Sequence, residues 1–214
     1  MSTKALAVMV LCGDVWHPAE MVQLGLGALG GSRYAFEFVT QGDSWSPALL
    51  EKYPVVVVAK ANHLSTEDRR PWLTEEKQGA IQGFVRQGGG MLLLHGGVGY
   101  KDLPAMRAVA GGAFMRHPDQ GPVTVVPQTD HPLTAGVKTF TMLDEHYFMA
   151  VDAPDAEVFL RSYSEHGIQP AGWRRQDHSG RVVVLTPGHN PAVWMHPDFQ
   201  TLLGNSLAWV AGQN

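Results

Sequence analysis

The residues with the greatest chemical capacity in this chain are its histidines. There are 10 among 214 residues, and imidazole is both a common metal ligand and the side chain that exchanges protons near neutral pH. Several follow apolar runs directly. Asp14, Trp16 and His17 come after Ala5–Leu11, and Asn62 and His63 after Pro54–Ala59. His95, Gly96 and Gly97 end the run Gly90–His95, and Gly188, His189 and Asn190 follow Arg181–Thr186. These runs have the uninterrupted apolar character of strands buried on both faces. Ligands of open α/β sheets bind beyond the carboxyl ends of the strands. Four strand ends thus each bring a histidine toward one edge, and a shared site there is the expectation.

The run Asp144-Glu145-His146-Tyr147 adds carboxylates. If extended, it places Asp144 and His146 on one side and Glu145 and Tyr147 on the other. A carboxylate facing several imidazoles suits general acid–base work or a mixed nitrogen–oxygen metal site. No HExxH, CxxC or facial-triad spacing is present. The glycines at 88–90 and at 96, 97 and 99 form neither a dinucleotide fingerprint nor a phosphate loop. Leu94-His95-Gly96-Gly97 has the strand-to-turn shape on which hydrolases carry a nucleophile. Its apex is His95, so acyl transfer through a thiol is disfavoured. Cys12 lies inside the first apolar run and is expected to pack as a small apolar residue. His117-Pro118 and His131-Pro132 read as turns, because proline drives the preceding residue out of the helical region.

The elements that must hold these groups alternate. Pro18 to Gly31 reads as a helix with Gly30-Gly31 as its stop, and Tyr34–Val39 as a second strand. Thr74 to Gln87 reads as a helix capped by Thr74, with Ala80, Ile81, Phe84 and Val85 on one face. Strand, helix and strand at this spacing imply a mostly parallel, doubly wound α/β sheet. From Pro122 the rhythm changes: Pro122–Val126, Val137–Met142, Glu157–Ser162 and Ala171–Arg175 read as a small antiparallel extension. Asp198 to Val210 closes the chain as a helix burying Phe199, Leu202, Leu203, Trp209 and Val210. No linker divides the chain, so residues 1–214 read as a single domain.

Composition narrows the function classes. Sixteen basic against twenty acidic residues give a net charge of −4, without the clustered basic face a nucleic-acid or anionic-membrane partner calls for. A single cysteine forms no internal disulfide and suggests a reducing, cytoplasmic setting. No apolar run reaches the ~20 residues of a membrane span. The apolar start after Lys4 is read as the first strand, since no small-x-small cleavage site follows it.

Taken in order, several segments resemble the trehalose-utilisation (ThuA-like) family of the class I glutamine amidotransferase-like superfamily. They are Phe84-Val85 through Gly88-Gly89-Gly90 into Leu94-His95-Gly96; Gly111-Gly112-Ala113-Phe114 with His117-Pro118; His131-Pro132 to Gly136; Asp144-Glu145-His146-Tyr147; and Gly180-Arg181-Val182 through Gly188-His189 to Asn205 and Trp209. The resemblance implies a flavodoxin-like, three-layer αβα sandwich and a role in sugar metabolism. It also implies that His95 stands at the superfamily's nucleophile position, with amidotransferase chemistry lost, and that His189 lies near the superfamily's catalytic histidine. Asn190 departs from the acidic residue some relatives carry there.

The combined expectation is an enzyme acting on a sugar or keto-sugar. His189 serves as general acid/base, Glu145 orients it or is itself the base, and His95 completes the catalytic group. His17, Asn62, Asp144, Tyr147 and Trp16 are the expected substrate contacts. His17, His95 and His189 are candidate ligands for a divalent metal such as zinc. A metal-dependent hydrolase and a non-catalytic sugar-binding or assembly protein are the alternatives, and homo-oligomerisation is also expected.

Overall fold

The computed structural model describes residues 5–29 and 33–213. The elements run β1 (Leu6–Cys12), α1 (Ala19–Gly27), β2 (Tyr34–Val39), β3 (Val55–Ala59), α2 (Glu75–Arg86), β4 (Gly90–Leu94), α3 (Pro104–Ala110) and β5 (Gly112–Arg116). They continue with β6 (Gly121–Pro127), β7 (Phe140–Asp144), β8 (Phe148–Val151), β9 (Glu157–Ser164), β10 (Gly167–Asp177), β11 (Gly180–Leu185), α4 (Pro191–Trp194) and α5 (Pro197–Val210). The helix stop expected at Gly30-Gly31 lies outside the described residues.

One nine-stranded sheet has the order β2-β1-β3-β4-β11-β10-β9-β6-β7. From β2 to β11 every pairing is parallel, and from β11 to β7 every pairing is antiparallel. The parallel part begins 2-1-3-4, the flavodoxin-like order, whose switch point lies between β1 and β3. β1 is flanked on both sides, Val8 pairing with Phe36 of β2 and Val55 of β3. This explains its unbroken apolar sequence.

Successive residues of each strand point to opposite faces, which produces two cores. Val8, Val10, Val55, Val57, Leu92, Leu94, Val183 and Leu185 pack against α1 and α5. Met9, Leu11, Val56, Val58, Met91, Leu93, Val182 and Val184 pack against α2 and α3. Each such side chain contributes ~1.5–3 kcal/mol when fully buried, so the central strands anchor both helical layers. Cys12 is in the first of these cores, and burial pushes its thiol up to about 12. Thr74 caps α2, its hydroxyl accepting from the Lys77 amide at 3.2 Å.

Three elements depart from the sequence reading. The four antiparallel strands expected join the main sheet as β6, β7, β9 and β10, but β5 and β8 also pair, apart from it, as a two-stranded ribbon that the sequence reading did not anticipate. Neither ribbon strand nor the seven-residue α3 is marked by a clear period. β7 also starts later than Val137, because the Val137 amide bonds Thr134 O and the Lys138 amide bonds Asp198 Oδ1 at 2.7 Å. Trp209 is only partly buried, with the guanidinium groups of Arg174 and Arg181 5.4 and 5.3 Å from its ring centroid. Among the described residues no helix is long and apolar enough to cross a membrane.

Candidate functional site

Three parallel strands end in the histidines that meet. Beyond β1 the chain turns at Gly13 into Asp14, whose carboxylate accepts from the amides of Trp16 (2.8 Å), His17 (3.1 Å) and Ala61 (2.7 Å). The same carboxylate accepts from His17 Nδ1, at 2.8 and 3.0 Å to its two oxygens. Burial opposes ionisation of Asp14, but the His17 contact and the backbone donors outweigh it and lower its pKa. His17 is shifted down chiefly by burial, against the pull of Asp14. With Nδ1–H spent on Asp14, Nε2 is the nitrogen His17 has to offer.

His95 follows β4 with φ +42°, a left-handed conformation uncommon for a side-chain-bearing residue and costing on the order of 1–3 kcal/mol. The turn aims its ring inward, and Nδ1 donates to the Thr186 carbonyl at 2.7 Å. A carbonyl only accepts, so Nδ1 carries the hydrogen and Nε2 faces the cluster. Nε2 lies 3.0 Å from the Tyr147 hydroxyl and 3.4 Å from Glu145 Oε2. The glycines after His95 make room. A Cβ on Gly96 would sit 2.7 Å from His17 Nδ1, and one on Gly97 would sit 2.0 Å from Val58 O.

His189 follows β11 on a loop pinned from both sides. Its amide and that of Gly188 donate to Asp144 Oδ1 and Oδ2 at 2.8 and 2.9 Å. The indole of Trp194 donates to Gly188 O at 2.7 Å. His189 Nδ1 approaches Glu145 Oε2 to 3.2 Å, yet this buried nitrogen has no aligned hydrogen-bond partner. The Glu145 contact raises its pKa in spite of partial burial.

Glu145 is the fourth member. Burial alone would raise its pKa, but its contacts with His189 and His95 outweigh that and hold the carboxyl well below the usual carboxylate range. The ring centroids of His17, His95 and His189 stand 4.8, 5.4 and 5.5 Å apart. One ligand atom from each of His17, His95, Glu145 and His189 lies within 4.8 Å of the other three.

The cluster opens into a cavity of about 540 Å³, lined by Trp16, His17, Gly96, Phe114, Met115, His117, Glu145, Tyr147 and His189, among others. Trp16 is 53% exposed at its rim, with His63 edge-on at 4.5 Å and Arg69 over its ring. Burial first, and then the Glu145 charge, push the Tyr147 phenol well above its ordinary value.

The structure brings together His17, His95, Glu145, His189, Tyr147 and Trp16. Two expected substrate contacts are turned elsewhere, which corrects the sequence reading. Asn62 Oδ1 accepts from the Trp72 and Leu73 amides at 3.1 and 3.0 Å, so it shapes its own loop. Asp144 is buried beneath the 188–189 backbone. His146 turns away and bonds Ser164 Oγ and Ser162 Oγ at 2.7 and 3.0 Å. His63 packs on Trp16 outside the cluster. One site residue escaped the sequence reading. His117, taken as a turn, reaches the cavity from the end of β5 with Nε2 3.6 Å from Glu145 Oε1. The signal would have been β5 itself, which directs the histidine.

Comparisons with known proteins agree with this architecture. A putative ThuA-like protein from Bacteroides uniformis ATCC 8492 superposes with a TM-score of 0.77 at 18% identity, over 98% of this chain and 93% of its own. One from Parabacteroides merdae ATCC 43184 gives 0.77 at 17% identity, over 97% and 90%. A β-galactosidase from Bacillus circulans sp. alkalophilus matches 97% of this chain with 31% of its own, at TM-score 0.69 and 15% identity. At these identities the likeness is one of fold. No functionally curated protein matches the chain. The family model described as trehalose utilisation matches residues 14–210, from the carboxylate that orients His17 past the loop that carries His189, and the chain belongs to that family, ThuA.

Proposed function

We propose that this protein is an enzyme of carbohydrate metabolism that removes a proton next to the carbonyl of a sugar or keto-sugar, leading to isomerisation or elimination. The observation that carries the reading is Glu145, a carboxylate that lines a cavity with an exposed tryptophan and stands 3.2–3.6 Å from His189, His95 and His117. A sugar offers an apolar ring face that stacks on an indole, and hydroxyls that bond to imidazoles and a phenol. Protons next to a carbonyl are acidic because the anion left behind is an enolate. Removing one takes a positioned base and an electrophile for the developing oxyanion. Glu145 Oε1, on the His117 side, is the base in this reading. The oxyanion lies toward His189, which the Glu145 contact favours in its protonated, donating form. Cys12, buried in β1, takes no part. The setting is cytoplasmic and the partner a small molecule.

The test is a panel of aldoses, ketoses and keto-sugars incubated with the protein in deuterium oxide and followed by NMR. Deuterium at the carbon beside the carbonyl, slowed ~10²-fold or more in Glu145→Gln, is the expected result. Trp16→Ala should weaken saturation while leaving the rate at saturation nearly unchanged. Saturable sugar binding with no exchange and no product would instead favour a non-catalytic sugar-binding protein. Glycosidic cleavage without exchange would favour a hydrolase.

A further inference from the structure

We propose that His17, His95, His189 and Glu145 form a binding site for one divalent transition-metal ion. The inference deepens the reading of the same site, and as an account of the electrophile it rests on that reading. As a binding site it stands on ligand geometry, and it is tested without any sugar.

Three observations carry it. First, two of the imidazoles are pre-set as ligands. Asp14 fixes the hydrogen of His17 on Nδ1, and the Thr186 carbonyl does the same for His95. Both lone pairs are thereby left on Nε2, and this backing by a carboxylate or a carbonyl is how metal-bound histidines are oriented. Second, the arrangement is under-satisfied without a cation. His189 Nδ1 is buried beside Glu145 Oε2 with no aligned partner, and the same oxygen stands 3.4 Å from His95 Nε2, which accepts from the Tyr147 hydroxyl at 3.0 Å. An ion among them converts these opposed lone pairs into bonds. Third, the spacing is close to what a small ion needs. Bonds of ~2.0–2.1 Å put tetrahedral ligand atoms about 3.3–3.4 Å apart. The four atoms here lie within 4.8 Å of one another, so small side-chain rotations close the set.

Nitrogen-rich coordination with one carboxylate suits zinc, cobalt, nickel, iron or manganese over calcium and magnesium, which prefer oxygen. Metal at His95 Nε2 would take the lone pair that now accepts from the Tyr147 hydroxyl at 3.0 Å. An ion held by these residues would adjoin the cavity lined by Trp16 and Tyr147 and could polarise a substrate oxygen there, with Glu145 Oε1 toward His117.

The experiment uses the full chain without a histidine tag, stripped with a chelator and titrated separately with zinc, manganese and cobalt chlorides. The readouts are calorimetry and elemental analysis after gel filtration. Cobalt absorption in the visible range gives the coordination geometry. The expected result is one ion per chain, with a cobalt spectrum of nitrogen–oxygen ligation. Affinity should fall by at least tenfold in His17→Gln and in His189→Gln, and by ~10–100-fold in Asp14→Asn, which touches the ion only through His17. His166→Gln, at an exposed histidine away from the cluster, serves as the control and should bind as wild type. Circular dichroism identifies any variant that has lost its fold, and the remaining variants decide. No saturable uptake of any of the three ions by the folded wild-type chain overturns the inference, as does uptake unchanged in both His17→Gln and His189→Gln. Metal binding with no reaction on any sugar leaves this site standing and overturns the proposed function. Deuterium exchange by metal-free protein leaves the proposed function standing and overturns the ion as its electrophile.

Discussion

Asp144 offers a sharp test of whether a buried carboxylate beside this site builds the loop or binds substrate. It is 2% exposed, and its two oxygens accept one amide each, from Gly188 and His189. Alanine at this position leaves two buried N–H groups without acceptors. Each costs ~1–3 kcal/mol, so a loss of about 4 kcal/mol is expected. At roughly 2–4 °C per kcal/mol for a domain of this size, the melting temperature should fall by about 8–16 °C. Asparagine keeps the shape but has one acceptor oxygen, so one amide faces an NH2 group. The loss should then be near half, about 2 kcal/mol and ~4–8 °C. Calorimetry with urea denaturation at fixed pH measures both. Alanine within about 1 kcal/mol of wild type would refute the claim that this carboxylate carries the loop, and equal losses in the two variants would refute the one-oxygen-per-amide accounting.

Other consequences are open to measurement. Gly96→Ala should leave the strands intact, but its Cβ would press on His17, so zinc affinity should fall at least tenfold while the circular dichroism spectrum is preserved; undiminished affinity would contradict the packing. Lys60 is fully buried, with Nζ donating to Thr40 O and Leu64 O, and burial, only partly offset by Asp14, brings it down to about 8. Above that pH the unfolded chain holds the proton that the folded chain has lost, so this group makes stability rise with pH toward ~10.4. Cys12 acts oppositely. Burial raises its thiol to about 12, so above ~8.5 the unfolded chain alone loses that proton and stability falls. Urea midpoints between pH ~7.5 and ~9.5 should therefore rise more steeply in Cys12→Ala than in wild type, and flatten when Lys60→Met is added; an unchanged slope in that double variant would remove Lys60 as the cause.

Much of this molecule is legible in its sequence because the central strands leave little choice. Val55–Ala59 and Gly180–Leu185 are apolar at nearly every position because neighbours on both sides and helices on both faces cover them. The polar residues that end such strands can only emerge at the sheet edge. That logic finds His17, His95 and His189. It fails for Asn62 and Asp144, since a side chain at a strand end can face the cavity or cap a neighbouring backbone, and only the fold decides which. His117 is invisible for the converse reason. It is placed by β5, a short strand with bulged pairing to β8, and two strands that pair outside the main sheet carry no pattern strong enough to announce themselves.

The division between the main sheet and the β5–β8 ribbon has a consequence for how this scaffold can diversify. The cluster residues are attached to strand ends of the nine-stranded sheet, where displacement of one strand disturbs two cores. Phe114, Met115 and His117, on the opposite wall, belong to the ribbon and its exit. Changes of side chain there can reshape the entrance while His17, His95 and His189 stay on the ends of main-sheet strands; Glu145, between β7 and β8, is the member coupled to the ribbon. The fold thus sets three imidazoles on a braced sheet and the aperture on a separate ribbon, so the shape of the entrance can be retuned while those imidazoles stay fixed.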